Sequence, residues 1–285
     1  MYKRNSLLRL IGLALLGILL WRLDTRRIVA IMGDTEWTLV VAAFGLNLPQ
    51  VLLKSMRWRW FLQAQGVKYG VMPSSLAYFG SIFIGLLTPG RLGEFVKALH
   101  VSKDCGISAK QAFSSVLADR LFDLYALAIV GGLALATLGS INSITLAASL
   151  GLLVMALVAP AAILLNGRSY QLVGSLGLRL GKLGQKLFGD EVWVTELRVG
   201  LRQLSPKWLT IGVVMTVLAY GVFYTQSYLL AQALGLEASL VTVSFAVALG
   251  SLVTLIPISI SGIGTREAAV VAYLGTASVS AEAAL

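Results

Sequence analysis

The chain has 285 residues, of which 57% are hydrophobic and only 13% are charged. Charged residues make up about a quarter of an ordinary soluble domain, so this composition excludes that class and indicates a protein embedded in lipid. The net charge of +10 would suggest nucleic-acid binding in a soluble domain. In a membrane protein the basic residues follow the topology instead, and we expect no nucleic-acid partner.

Two apolar segments open the chain, Leu7–Trp21 and Trp37–Leu53. The first follows basic residues as a secretory signal does, but no small-residue cleavage site comes after it, so we interpret it as a retained span. The second is long enough to cross ~30 Å of hydrocarbon as a helix. The basic and aromatic run 54–60 after it is predicted to be an interfacial anchor, although Lys54 and Arg57 could instead collect a lipid headgroup from the inner leaflet.

The next apolar run, Leu76–Thr88, is too short to cross the membrane comfortably and ends in helix breakers. An apolar helix resumes after the breakers. We therefore predict a re-entrant module over residues 76–99. Its break contains, in chain order, Pro89, Gly90, Arg91, Gly93 and Glu94.

A third long span, Leu121–Leu138, opens with the charged residues Asp119, Arg120 and Asp123. The two aspartates are four residues apart and so share one face of a helix. They could receive a lipid amine, pair with an arginine of a break or carry protons. Asp119 could also be no more than an acidic residue at a helix start, where the macrodipole favours it. Asp123, one turn deeper, is the better functional candidate.

The fourth span, Ser143–Leu165, follows a connection of two residues and must form an antiparallel hairpin with the third. The connection 166–207 has leucines at helical spacing with basic residues between them, which predicts a basic amphipathic helix at the inner headgroup surface. We interpret it as an anchoring elbow, with recognition of anionic lipid as the alternative. Trp208–Leu234 is the fifth span.

A second short apolar run, Leu240–Ile256, again ends in breakers followed by an arginine and a glutamate. We predict a second re-entrant module over residues 240–275. Three spans separate the two modules, so the second must face the opposite way, and the chain contains an inverted repeat. Such paired interruptions mark the substrate sites of transporters. The second break contains Pro257, Gly262, Gly264, Arg266 and Glu267.

Each break exposes backbone N–H groups at the start of the next half-helix, and hydrocarbon offers them no acceptor. Pro89 fits the first position of one such helix, and Ser261 fits the cap of the other. A helix N-terminus beside an arginine is a phosphate site. The sequence therefore predicts anion binding at both breaks.

The arginines of the two breaks, Arg91 and Arg266, are the candidate phosphate ligands. Glu94 and Glu267 would balance their charge when no anion is bound. The alternative is a pair of internal Arg–Glu contacts that only hold the breaks together. Charge at membrane depth costs ~2.5–3.5 kcal/mol or more per residue, which favours a functional role.

Basic residues set the predicted orientation. With a cytoplasmic N-terminus nearly all of them lie inside, whereas only Arg22, Arg26 and Arg27 lie outside and Arg266 is assigned to neither side. We expect a multi-pass protein of the plasma (inner) membrane. The tryptophans agree with this orientation. Trp21 and Trp37 are expected at the outer interface, and the inner interface is expected to hold Trp58, Trp60 and Trp208.

Other chemistry is not indicated by the sequence. The sequence has one cysteine, Cys105, and one histidine, His100. These two residues do not form a common metal-binding pattern, so we expect neither metal nor cofactor. The sequence shows no nucleotide-binding glycine loop after a strand and no nucleophile elbow. We therefore expect a protein that is not an enzyme.

Four motifs together resemble the membrane domain of lysylphosphatidylglycerol synthases, the flippase-like or UPF0104 family, over nearly the whole chain. The motifs are Lys54-x-x-Arg57-Trp58, Thr88-Pro89-Gly90-Arg91-Leu92-Gly93-Glu94, Ala118-Asp119-Arg120-x-x-Asp123 and Gly262-x-Gly264-Thr265-Arg266-Glu267. In two-domain members, a synthase domain makes an aminoacylated lipid and the membrane domain moves it to the outer leaflet. The synthase domain has no counterpart in this sequence.

The resemblance implies an all-α polytopic membrane protein of about five full spans and two inverted re-entrant helix pairs, forming a single domain over residues 1–285. The family has one more helix after the second break. Ser280–Leu285 resembles the first turn of that helix, so we expect a helix that stops short.

The residues and the resemblance together predict a lipid transporter or flippase that recognises a phosphate-bearing lipid. The rival is a membrane enzyme of polyprenyl-phosphate sugar or lipid-modification metabolism, and a scaffold for a separate synthase or glycosyltransferase is a third reading. Membrane lipids are the expected partners, and a homo-oligomer stays open. The predicted substrate-binding residues are Lys54, Arg57, Arg91, Glu94, Asp119, Arg120, Asp123, Arg266 and Glu267.

Overall fold

The computed structural model describes residues 33–88, 91–137, 205–255 and 262–277, together with residues 17, 279, 280 and 284. The described part is helical and contains no β-strand. The all-α class is therefore confirmed. Its helices are α1 Trp37–Gly45, α2 Asn47–Ala64, α3 Val71–Leu86, α4 Val96–Cys105, α5 Ala109–Thr137, α6 Pro206–Ala233, α7 Leu240–Val253 and α8 Thr265–Thr276, with a 3-10 turn at Leu92–Phe95.

Three stretches are long and apolar enough to cross a membrane: Trp37–Ala64, Ala109–Thr137 and Pro206–Ala233, with 28, 29 and 28 residues. At 1.5 Å per residue each is ~42 Å long, which exceeds the hydrocarbon thickness. The protein is therefore embedded in a membrane. The predicted spans Leu7–Trp21 and Ser143–Leu165 lie outside the described residues, so the count of five spans stays a prediction.

The first of these stretches is interrupted at Leu46, where α1 ends and α2 begins. Pro49 lies in the first turn of α2 and has no backbone N–H, and its ring would clash with the carbonyl four residues earlier in a continuous helix. Leu46 joins the two helices with right-handed helical angles. A proline in the first turn of α2 thus explains why a new helix begins here.

Helices α3 and α7 are short, with 16 and 14 residues, or ~24 and ~21 Å of rise. Each ends close to a predicted break, since α3 stops at Leu86 and α7 at Val253. Regular structure resumes at the 3-10 turn and at α8. That the two modules are re-entrant and face opposite ways, as an inverted repeat, stays a prediction. Of the predicted breakers, Pro89, Gly90 and Pro257 lie outside the described residues, as does the connection 166–204.

Packing brings the short helices against the long ones. Helix α6 packs on α1, α2 and α7, while α5 packs on α2, α4 and α7, and α8 packs on α7. Large apolar side chains point away from this assembly, for example Phe44, which is 77% exposed, Phe83 and Val217. In a membrane protein these side chains contact lipid, so the polar groups collect between the helices.

Candidate functional site

A group of charged residues, several of them buried, lies where α2, α4 and α5 meet and extends to the two breaks. We call it the central charge cluster. Its members are Lys54, Arg57, Arg91, Glu94, Lys97, Asp119, Arg120, Asp123, Arg266 and Glu267.

Arg57 on α2 is fully buried at the heart of the cluster. Its Nε donates to Asp119 Oδ1 at 2.8 Å, and its Nη2 donates to Asp123 Oδ1 at 2.9 Å. Its Nη1 donates to Thr216 Oγ1 on α6 at 2.8 Å. One planar guanidinium thereby connects three helices, a role that its fixed fork of donors suits well.

The interpretation of residues 54–60 as an interfacial anchor is wrong. Arg57 and Trp58 are fully buried, and the Trp58 indole N–H donates to Ser115 Oγ on α5 at 3.0 Å. Helix α2 continues to Ala64 and turns this part of the motif toward α5. Lys54 lies one turn before Arg57 and reaches the same cluster, 3.2 Å from Asp123 Oδ1.

Asp119 is fully buried and receives three donors. Besides Arg57, its Oδ2 accepts from Lys97 Nζ at 2.6 Å and from the Tyr78 hydroxyl at 3.0 Å. The alternative that Asp119 merely begins a helix is wrong, because α5 begins at Ala109 and Asp119 lies well inside it. Macrodipole stabilisation acts only within the first turn.

Lys97 is a cluster residue that the sequence analysis did not single out. It is fully buried on α4, and its ammonium lies 3.7 Å from the centroid of the Tyr78 ring, a cation–π contact. The sequence held one signal: Lys97 lies three residues after Glu94 in an apolar helix, and a lysine there must find a partner.

Asp123 and Asp119 do share one face of α5, as their spacing predicts. Asp123 contacts Lys54, Arg57 and Arg120, the last at 3.9 Å between Nη1 and Oδ2. Two cations approach within hydrogen-bonding range of this one carboxylate. Asp123 therefore holds cations in place at the edge of the cluster.

The first break joins the cluster through Glu94, which is nearly buried. Glu94 forms an ion pair with Arg120 of α5, and Arg91 Nη1 lies 3.9 Å from its other oxygen. Arg91 has a φ of 55°, an uncommon angle for a residue with a Cβ, and it precedes the 3-10 turn. The predicted helix start at Pro89 lies outside the described residues, and described helical structure resumes after Arg91.

Glycines let the first break close tightly. A Cβ on Gly93 would lie 2.5 Å from the Ile84 carbonyl oxygen, and a Cβ on Gly85 would lie 2.5 Å from Glu94 Cγ. Only residues without side chains fit here. The 3-10 turn is thus pressed against α3, which aims Glu94 toward α5.

The second break contains a turn over Gly262–Gly264 before α8. Both glycines have positive φ, 81° and 82°, which residues with a Cβ rarely adopt. Gly264, rather than Ser261, is the cap of α8, so that predicted helix start is wrong. The Gly264 N–H donates to Glu267 Oε2 at 2.6 Å, which satisfies one free donor of the helix start.

A pocket of about 120 Å³ opens beside the cluster and includes residues of both breaks. Arg91 and Arg266, far apart in sequence, line the same cavity. Glu94 and Glu267 are not among its lining residues. Its charged lining consists of Lys54, Arg91, Arg120, Asp123 and Arg266, and its other polar lining consists of Gln50, Tyr220, Ser251 and Thr254.

The pocket is chemically suited to an anion. Its lining contains four cations and one carboxylate. The Arg91 Nε is buried without a hydrogen-bond partner among the described residues, and Arg266 forms no ion pair with them. Arginine forks bind carboxylates and phosphates in a planar, bidentate manner. The part of the chain that the structure describes contains no group of three potential metal ligands.

These features define a class: a polytopic α-helical membrane protein with charged residues buried between its helices. The family described as "Lysylphosphatidylglycerol synthase TM region" matches residues 9–285. The chain belongs to this family of membrane proteins, as the four motifs indicated.

Two curated relatives match parts of the chain. The "UPF0104 membrane protein PH1989" of Pyrococcus horikoshii is 30% identical over 124 residues, which is 42% of this chain and 37% of the relative. The "Glycosyltransferase AglD" of Haloferax volcanii is 28% identical over 134 residues, 47% of this chain and 21% of the relative. The matched segments thus span well under two thirds of either relative. No solved structure matches the chain significantly.

Proposed function

We propose that the protein is a lipid transporter of the flippase type that binds a phosphate-bearing lipid headgroup in the pocket between the two breaks. The observation that carries the proposal is the shared cavity of Arg91 and Arg266, which lie in two separate breaks and both line it. A cationic pocket between membrane helices needs an anionic ligand, because uncompensated charge is costly there.

The surrounding contacts support a headgroup site rather than a purely structural ion-pair network. Arg57 and Lys97 are fully buried and held by Asp119 and Asp123, whereas Arg91 keeps a 36% exposed side chain and one contact at 3.9 Å. Cations that only stabilise the fold would be expected to be fully paired. Arg91 and Arg266 therefore keep donors for a ligand.

Exposed apolar side chains give the lipid's acyl chains a place beside the protein. Phe83 on α3 and Leu133 on α5 are exposed on helices that also reach the cluster. A headgroup could enter the pocket while its chains stay in the bilayer. The two breaks follow short helices and line this pocket. Irregular backbone is tolerated at membrane depth where it lines a polar cavity, so the proposal accounts for the position of the breaks.

Transport in reconstituted vesicles tests the proposal. Purified protein in proteoliposomes should move fluorescent phospholipid between leaflets, and Arg91→Ala with Arg266→Ala should abolish that movement. Arg59→Ala is the matched control, because Arg59 lies on α2 outside the cluster and donates to the Tyr69 carbonyl. Full activity of the folded double variant would contradict the proposal.

The rival function is a membrane enzyme of lipid-linked sugar metabolism, and the relative named as a glycosyltransferase favours considering it. In such an enzyme Asp119 would have to bind the sugar donor. It is instead fully buried and already bound to Arg57 and Lys97. Sugar-nucleotide turnover by the purified protein would decide for the rival. A scaffold role for a separate synthase would leave transport insensitive to every charge substitution in the breaks.

The orientation is part of the proposal: a plasma-membrane protein with a cytoplasmic N-terminus. In a background with Cys105→Ser, cysteines at Asn142 and Glu237 should react with an impermeant thiol reagent added to intact cells, and one at Gln185 should not. Labelling at position 185 would contradict the proposed orientation.

A further inference from the structure

The cations of the central charge cluster outnumber its carboxylates, among the residues that the structure describes. Its cations are Lys54, Arg57, Arg91, Lys97, Arg120 and Arg266, and its carboxylates are Glu94, Asp119, Asp123 and Glu267. Six cations and four carboxylates leave an excess of two positive charges. This excess sets the charge that a bound ligand must supply for the site to be neutral.

The carboxylates are already engaged. Asp119 and Asp123 are shared by Arg57, Lys97 and Lys54, so neither is available to neutralise the two break arginines. Glu267 accepts from the backbone of its own helix start. The excess positive charge therefore lies at the pocket and not in the core of the cluster.

Arg120 is the third arginine of the pocket, and Glu94 is its partner. Arg91 lies at the other side of the same glutamate. A ligand that binds both arginines must compete with the single negative charge of Glu94. An anion with only one charge gains little by replacing it, whereas a dianion gains a second Coulomb interaction.

Resting on the phosphate site proposed above, we propose that the pocket selects a headgroup with at least two negative charges, a phosphate monoester or a diphosphate, over a singly charged phosphodiester. A phosphate monoester carries about −1.5 to −2 charge at pH 7 and presents three terminal oxygens. Arg91, Arg120 and Arg266 come from three different elements and offer one fork to each oxygen. A diester has only two free oxygens and therefore leaves one of the three forks without a charged acceptor.

Binding to the full chain in a non-ionic detergent tests the selection. The probes are dioctanoyl phosphatidic acid, a monoester, and dioctanoyl phosphatidylglycerol, a diester, at pH 8, measured by isothermal titration calorimetry. We expect the monoester to bind more tightly by on the order of tenfold or more, because the second charge acts in a low-dielectric site. Glycerol 3-phosphate and inorganic phosphate are added as competitors. Strong competition by them would identify a soluble phosphate compound, rather than a lipid, as the source of the same dianion.

Two variants change the charge excess in opposite directions. Glu267→Gln keeps an oxygen that can accept from Gly264 and raises the excess by one, so it should strengthen binding of phosphatidic acid. Arg266→Gln lowers the excess by one and should bring the affinities for the two probes within about threefold of each other. Arg59→Gln changes the net charge of the chain outside the cluster and should leave the ratio unchanged.

The failures of the two proposals are distinguishable. Equal affinities for both probes in the unaltered protein, with both lost in Arg91→Ala, would overturn the selection of a dianion and leave the phosphate site standing. Absence of binding for every phosphate probe would overturn both. If Arg266→Gln does not fold, an unchanged affinity ratio in Glu267→Gln with weaker monoester binding would also contradict the inference.

Discussion

The two helix breaks have the same order of glycine, arginine and glutamate but make different contacts. At the first break Glu94 pairs across the helix interface with Arg120 of α5 and also approaches Arg91. At the second break Glu267 turns back to the Gly264 backbone N–H and stabilises the start of its own helix. A repeated motif thus supplies a counter-ion for another helix in one copy and a helix cap in the other.

The comparison teaches which copy a ligand can rearrange. A glutamate that pairs with another side chain shares that partner with an incoming anion, while a glutamate that satisfies a backbone donor has no substitute partner. The sequence predicts that each glutamate balances the arginine of its own break. The contact of Glu94 with Arg91 supports this at the first break, whereas Glu267 contacts the backbone at the second. In the transport proposed above, we expect the first break to move and the second break to be the fixed half of the site.

The largest expected effect concerns the attachment of the helix after each break. Helix α4 is held by the Lys97–Asp119 ion pair at 2.6 Å, and no ion pair among the described residues fastens α8 in this way. Asp119→Asn leaves two buried cations with one partner fewer and should cost about 3–5 kcal/mol of unfolding free energy. Hydrogen exchange in detergent should show loss of protection in α4 and little change in α8.

Asp104→Asn is the control for that experiment, because Asp104 accepts from Tyr69 near the end of α4 and lies outside the cluster. Equal loss of protection in α4 and α8 would mean that Asp119 does not distinguish the two breaks.

The next effect separates the two arginines that approach Glu94. Arg120→Gln removes the close partner of a nearly buried carboxylate and should cost about 1.5–3 kcal/mol. Arg91→Gln removes only a 3.9 Å contact from a partly exposed side chain and should cost less than about 1 kcal/mol. Chemical unfolding monitored by tryptophan fluorescence measures both. A larger loss in Arg91→Gln would mean that Arg91, rather than Arg120, holds Glu94.

Glycines offer a smaller test of how tightly each break closes. Gly85→Ala places a methyl group 2.5 Å from Glu94 Cγ, and Glu94 cannot retreat without leaving Arg120, so we expect a loss of about 1–3 kcal/mol. Gly250→Ala on α7 meets Val270 Cγ2 at 2.9 Å and the Arg266 backbone oxygen at 3.3 Å, both less close approaches, and should cost less. Gly80→Ala is the control, because nothing lies within 4 Å of the added methyl group. Thermal unfolding of the three variants gives the order, and a greater loss in Gly250→Ala would reverse the comparison.

The smallest effect is the cap of α8. Glu267→Ala removes the acceptor for the Gly264 N–H and should cost about 1 kcal/mol, while Glu267→Gln retains an acceptor and should cost less. Transport should fall less in Glu267→Ala than in Glu94→Ala, because only Glu94 pairs with a pocket arginine. Similar transport loss in both would show that the two glutamates have equivalent roles after all.

Much of the molecule follows from local sequence pattern. Apolar length and low charge predict membrane helices, and Trp37–Ala64 and Pro206–Ala233 are indeed long apolar helices. The spacing of Asp119 and Asp123 predicts a shared helix face, because helix geometry depends only on nearby residues. Proline and glycine between apolar runs predict where regular helices stop, within the few residues by which such boundaries usually vary.

Partner choice could not be obtained in this way. The Arg57–Asp119 hydrogen bond joins residues 62 positions apart, and no periodicity in either helix specifies it. Arg57 and Trp58 have the composition of an interfacial anchor, and only the packing of α2 against α5 buries them. Lys97 was missed for the same reason, since its carboxylate partner is on another helix.

What the sequence by itself determined is the membrane class, the family, the two breaks and the residues able to carry charge, because each depends on composition, motif or local helix geometry. The tertiary structure decided that Arg91 and Arg266 line one pocket, that Asp119 and Asp123 hold the buried cations, and that Glu94 and Glu267 differ in role. These depend on how separate helices pack, and a buried charge finds its partner only when that packing sets the distance.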